Sequence, residues 1–266
     1  DRLSLFKVLF PIDNNTYWYI SSYLILYLIS PILNIIINKT NKKEFQFTIS
    51  ILFFIISILS TISKDVYFNS NTGRSLSTFI LLYFIGAYLK KYQIKKEKIF
   101  KKFKIKNKKN FYFLGYLLLA FLSTISYIIY LKFYNKEPLI NDTLRILGFM
   151  HISYASPIVI IQTVFYFMFF GNLNISSKLI NKISSATLGV YLISENIYIR
   201  ENLYNKFGFS DIKNVNIHTL LKIAIACSLV FIICIVIDLI RQIIFKAFSK
   251  VNTNIKKLLI KKEYNI

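Results

Sequence analysis

The sequence predicts an all-α, polytopic integral membrane helix bundle of about seven transmembrane helices, in one membrane domain over residues 1–266. Three observations predict it. Hydrophobic residues make up 55% of the chain and the mean hydropathy is +0.50. Charged residues make up only 17%, against about 25% in soluble proteins, too few to cover the core of a soluble domain this size. Apolar runs long enough to cross a hydrocarbon layer recur along the chain, with the charges between them.

Seven runs approach the roughly 20 apolar residues that a span requires. They are Tyr17–Ile37, Phe45–Ile62, Ser75–Tyr92, Phe111–Leu131, Ile152–Gly171, Ile183–Asn202 and Ile217–Ile240. The sixth is interrupted by Ser194, Glu195 and Asn196. No repeat and no low-complexity linker divides the series.

The charge is lopsided: 34 Lys and Arg against 12 Asp and Glu, net +22. Such an excess suits either a nucleic-acid binder or a membrane protein with basic cytoplasmic loops. The lysines lie between the spans rather than on one segment, so the second reading holds and no nucleic-acid partner is expected. The connections 38–44, 90–110 and 172–185 and the tail from Arg241 carry 23 Lys and Arg, and the alternate set carries 10. The richer set is placed inside, with Asp1 starting outside and a cytoplasmic C-terminus. An odd number of spans fits this arrangement.

Smaller signals agree. Tyr17, Trp18 and Tyr19 sit where the first span meets the outer headgroups. Pro31 inside that span removes an amide donor and frees the carbonyl four residues earlier, which predicts a kink. Ile175, Leu179, Ile180 and Ile183 recur at helical spacing opposite Lys178 and Lys182, as in a short helix on the inner surface. Asp238 and Arg241 are three apart and placed to pair. Cys227 and Cys234 read as small apolar residues, since one helix holds them too far apart to bridge.

Few residues are candidates for chemistry. Glu195 lies within the sixth span, where a carboxylate must face the bundle interior or a wet cavity. It reads either as a proton acceptor or substrate contact, or as the partner of a basic residue on another helix. His151 stands at the outer mouth of the fifth span and His218 opens the last; either is a general base or simply solvated. Ser156 before Pro157 reads as a helix start, not a nucleophile. The stretch from Lys90 to Lys109 holds 11 lysines and reads as a topology signal, or as a contact for anionic lipid or a phosphorylated substrate. There is no phosphate-loop, zinc or serine-triad pattern, and no metal is expected.

The residues also carry a resemblance. Tyr17-Trp18-Tyr19-Ile20 leading into Tyr27-Leu28-Ile29-Ser30-Pro31-Ile32-Leu33-Asn34 resembles a stretch of the acyltransferase 3 family of membrane O-acyltransferases. Leu82-Tyr83-Phe84-Ile85-Gly86-Ala87-Tyr88-Leu89 resembles a second. Ser153-Tyr154-Ala155-Ser156-Pro157 and the run from Leu188 to Asn196 resemble two later ones. The resemblance implies a bacterial inner-membrane or plasma-membrane enzyme. Its activity would move an acyl group, usually acetyl from acetyl-CoA, onto a hydroxyl of a cell-surface polysaccharide or a lipid-linked precursor. It implies membrane lipid and such a glycan as partners, acyl-CoA as donor, and Glu195 and Asn196 lining the substrate cavity.

The family pattern also departs from this chain. Its catalytic histidine follows an Arg or Lys by eleven residues, whereas His151 follows Ile140 and His218 follows Phe207 at that distance. Its paired arginines have no counterpart among Arg2, Arg74, Arg145, Arg200 and Arg241. Ser194 stands where many relatives carry His. The resemblance therefore implies the C-terminal two-thirds of an acyltransferase 3 domain, inactive by itself. A transporter or flippase for a lipid-linked sugar, or a non-catalytic membrane subunit, are the rival readings. A transporter is expected to show internal repeats, and the sequence has none.

The orientation is testable by labelling intact cells. A cysteine placed at Lys101, with Cys227 and Cys234 replaced, is expected to resist a membrane-impermeant thiol reagent. Labelling from outside would contradict the topology.

Overall fold

The computed structural model describes residues 17–63, 72–92, 107–133, 141–173, 175–206 and 217–263. Most of the lysine-rich connection, at 93–106, lies outside the described residues, as do 1–16 and the last three residues. Every regular element among the described residues is helical. In chain order these are α1 (Trp18–Lys39), α2 (Lys42–Phe53), a π-helical segment (Phe54–Leu59), α3 (Ser60–Ile62), α4 (Leu76–Lys91) and α5 (Lys108–Phe133). There follow α6 (Asn141–Ile152), α7 (Pro157–Phe170), α8 (Lys178–Ser194), α9 (Ile197–Lys206) and α10 (Ile217–Glu263).

Among the described residues five helical stretches are long and apolar enough to cross a membrane: Trp18–Lys39, Lys42–Ile62, Lys108–Phe133, Arg145–Phe170 and Leu221–Ser249. The other two expected spans form shorter helices, α4 with 16 residues and α8 with 17. Two boundaries differ from the sequence reading. The helix expected on the inner surface is the first part of α8, which runs unbroken from Lys178. The connection expected before the fifth span contains α6.

The helices are inside out relative to a soluble protein. Leu28 is 74% exposed and Phe47 69%, and large apolar side chains cover the outside of every long helix. Apolar surface on that scale needs lipid or protein against it. Among the described residues, nine of the ten buried polar ones are Ser or Thr. Small hydroxyl side chains let helix backbones approach closely where lipid supplies no hydrophobic drive for association.

The chain forms two compact units, residues 18–174 and residues 1–17 with 175–266. In the first, α4 packs on α1 and α2, and α5 packs on α6 and α7. The π-helical segment touches both α4 and α7. Phe45, wholly buried, belongs to one apolar cluster with Leu26, Leu33, Ile37 and Phe84. Helices α1 and α4 run antiparallel: Trp18 meets Phe79 at one end, and Lys91 reaches the Ile37 carbonyl at the other. Lys91 also donates to Thr40 O at 3.0 Å, so a cation closes the negative C-terminal end of α1. The next helix starts at once on a capping box between Asn41 and Glu44.

Helix α1 continues through Pro31. The carbonyl that Pro31 leaves without its amide is that of Tyr27, and the Ser30 hydroxyl donates to it at 2.8 Å. The Ser-Pro pair thus carries its own repair, as an apolar surrounding requires.

In the second unit α8 packs on α10. The two are antiparallel, with Ser185 level with Gln242 and Gly189 level with Asp238. Asp238 is 2% exposed and accepts from Arg241 Nε at 2.7 Å and from Gln242 Nε2 at 2.8 Å. The expected pair therefore forms. Gln242 also donates to Ser185 O at 3.1 Å, tying the carboxylate to the opposite helix. A Cβ at Gly189 would meet Asp238 Cγ at 2.2 Å, so only glycine admits this approach. Gly189→Val is expected to cost about 1–3 kcal/mol as overpacking and to lower the melting midpoint in detergent. Gly86→Ala is the control, since nothing lies within 4 Å of a Cβ there. An unchanged midpoint for Gly189→Val would refute this packing.

Candidate functional site

Glu195 and Asn196 sit where α8 stops and α9 starts. Glu195 is the C-terminal cap of α8. Its Oε2 lies 3.3 Å from Arg200 Nη1, with the two side chains 35% and 54% exposed. Asn196 starts the next helix: its Oδ1 accepts from Tyr198 N at 3.1 Å, and its carbonyl accepts from Arg200 N at 2.8 Å. The polar triplet that interrupts the sixth apolar run is therefore a helix break. The carboxylate is paired with the first turns of the following helix rather than with a distant span. The Tyr17 hydroxyl, from the same unit, donates to Leu192 O at 3.1 Å just before the break.

His151 ends α6 in the other unit. Its exposed ring stacks on Tyr127, centroids 4.8 Å apart and planes 20° from parallel. His218 opens α10 and is also exposed. Neither has a carboxylate partner of the kind that orients a general base, among the described residues. No group of three His, Cys, Asp or Glu side chains gathers among them as a metal site requires.

The unit of residues 18–174 holds an arrangement that the sequence reading did not single out. Ser153–Ser156 separates α6 from α7 and satisfies its own backbone. Ser156 Oγ donates to Met150 O at 2.7 Å and caps Val159 N at 3.3 Å, and Pro157 occupies the first turn of α7. This is the helix start that the Ser-Pro pair predicted. Residues 72–75 dock on that turn. Tyr154 N donates to Thr72 O at 2.8 Å. Thr72 and Gly73 have φ of 57° and 83°, a left-handed conformation that is uncommon for threonine. A Cβ at Gly73 would meet Ala155 N at 2.3 Å, so glycine alone fits the contact.

This docking carries Arg74 to a fixed place. Its guanidinium carbon lies 5.7 Å from the ring centres of both Trp18 and Tyr154, within cation–π range. The two rings are themselves 5.7 Å apart. Tyr19 and Phe79 adjoin them, centroids 5.5 Å apart. Among the described residues Arg74 has no carboxylate partner. The signal lay in the sequence, as Gly73-Arg74 follows the polar run Asn69-Ser70-Asn71-Thr72, but only the fold brings it to Tyr154.

The π-helical segment is the other feature missed. Ser57 in it is wholly buried, and its hydroxyl has no hydrogen-bond partner among the described residues. Ser60 and Thr61 are buried beside it in sequence, and Thr61 Oγ1 donates to Ser57 O at 2.7 Å. Such bulges concentrate at functional positions, and no spacing rule in the sequence reveals one.

A helical chain with several apolar spans, a hydroxyl-rich interior and a polar helix break is a multi-pass membrane protein. The acyltransferase domain of the acyltransferase 3 family matches residues 3–239, so the chain belongs to that family. Neither a curated protein nor a solved structure matches it.

Proposed function

We propose that the protein serves a membrane acyltransferase reaction that moves an acetyl group from acetyl-CoA to a hydroxyl of a surface polysaccharide or its lipid-linked precursor. The observation that carries this reading is the family match over residues 3–239. In the reaction the acceptor oxygen attacks the thioester carbonyl. The new C–O bond replaces the C–S bond, CoA leaves as its thiol, and a base takes the hydroxyl proton.

The unit of residues 18–174 suits a donor and an acceptor arriving from opposite sides. At one end of the α1–α4 pair Lys42 and Lys91 lie over the Tyr92 ring, at 6.0 and 5.5 Å. With Lys39, Lys43 and Lys90 this end is strongly basic and matches the phosphates of a cytoplasmic acyl-CoA. The opposite end, expected outside, carries Trp18, Arg74 and Tyr154. The two ends of a 22-residue helix stand about 33 Å apart at 1.5 Å per residue, the thickness of the hydrocarbon layer.

Glu195 is assigned a positioning role at the α8–α9 break, because Arg200 holds it. Residues 1–266 are expected to lack transfer activity unaided, since no histidine matches the spacing of the family's catalytic one. The test is to purify the 266-residue chain in detergent with radiolabelled acetyl-CoA and cell-envelope glycans. The expected result is no transfer by this chain, and transfer when a family segment with that histidine is co-expressed. Transfer by the chain unaided would overturn the expectation and make His151 the first residue to replace. No transfer in either case would count against the acyltransferase reading.

A further inference from the structure

We propose that Trp18, Arg74 and Tyr154 form a binding subsite for an anionic sugar unit, with its carboxylate or phosphate on the Arg74 guanidinium and its ring against the exposed aromatic faces. This deepens the proposed function by naming the class of acceptor, and as an acceptor site it rests on that reading.

Three observations converge. The first is the cost of the geometry. Thr72 is held at φ 57° and Gly73 at φ 83°, with the Gly73 backbone against Ala155. Strained backbone persists where the surrounding structure over-determines it, and here the result is a fixed position for the next residue, Arg74. The second is that Arg74 lies beside two aromatic rings with no carboxylate partner among the described residues. Its guanidinium carbon lies 5.7 Å from each of the two ring centres, the residue is exposed, and none of its N–H groups is taken by a carboxylate of the described residues. A guanidinium held this way presents a pre-organised fork that fits a carboxylate or phosphate bidentately. The third is the surrounding aromatic surface. Tyr154 is 48% exposed and Tyr19 43%, and flat aromatic faces give amphipathic contact area to a sugar's C–H face. An arginine that served only to anchor the helix end to lipid needs no such docking, because a long flexible side chain reaches headgroups unaided.

Trp18 is the sole tryptophan of the chain, so intrinsic tryptophan fluorescence reports on this site alone. The full chain in zwitterionic nanodiscs is titrated with an oligoglucuronate, with a sugar phosphate and with a neutral glucose oligosaccharide. A saturable fluorescence change with either anionic sugar, and a much weaker one with the neutral sugar, is expected. Arg74→Gln is expected to weaken the anionic titration about 10- to 100-fold, the range for losing hydrogen bonds to a charged group. Arg74→Lys, which keeps the cation but not the fork, is expected to fall between. Unchanged far-ultraviolet dichroism of the variants establishes that they fold. Equal response to neutral and anionic sugars, no saturable response, or a response that appears only when anionic lipid is added would overturn the proposal; the last would assign Arg74 to lipid headgroups. No acyl transfer by the co-expressed pair, with binding intact, contradicts the proposed function alone, and transfer by that pair without binding contradicts this subsite alone.

Discussion

The structure depends on one constraint: in an apolar surrounding each polar group taken from water must find its partner within the chain. Apart from the buried Ser57 hydroxyl, which has no partner among the described residues, the polar features follow it. Pro31 leaves the Tyr27 carbonyl open, and the adjacent Ser30 hydroxyl fills it. The break at Ser153–Ser156 is satisfied by its own serines. Asp238, the buried carboxylate of the last span, is met by Arg241 and Gln242, and Gly189 gives it room. At the break after Ser194, Asn196 caps the next helix and Arg200 answers Glu195. None of these repairs reaches more than one helix away, so each is built into the local sequence or the nearest neighbour.

That locality explains what the sequence discloses. The long spans are legible because hydrophobic length is itself the physical requirement. The Ser156-Pro157 start and the Asp238–Arg241 pair are legible because they lie within one or two turns. Boundaries near polar interruptions are less so. The sixth run reads as one span over Ile183–Asn202, yet the chain makes α8 from Lys178 and then a separate α9, because Glu195 and Asn196 favour capping over continuing an apolar helix. Glu195 reads either as a proton acceptor or substrate contact, or as the partner of a basic residue on another helix; the residue it meets, Arg200, is on the next helix and only five residues on.

The Arg74 cluster lies beyond what pattern supplies. Trp18, Arg74 and Tyr154 come from three separate segments, and only the docking of Gly73 on Ala155 joins them. The π-helical segment is hidden for another reason, since one extra residue per turn leaves no mark on apolar periodicity. Membership of the acyltransferase 3 family gives these features a setting: a basic end and an aromatic, cationic end of one helical unit, with a hydroxyl-rich interior between.

The central claim is that close helix packing uses small buried hydroxyl residues such as Ser57 beside a small apolar core, while most of the large apolar residues face outward. Reversible unfolding in bicelles tests it most directly. Ser57 is wholly buried and its hydroxyl has no partner to lose among the described residues, so Ser57→Leu changes volume rather than hydrogen bonding. The account predicts a loss of about 1–3 kcal/mol for Ser57→Leu, as overpacking. For Leu28→Ala on the 74% exposed outer face it predicts a change within about 0.5 kcal/mol. The reverse pattern, with a tolerated Ser57→Leu and a Leu28→Ala as costly as a core truncation, would contradict it.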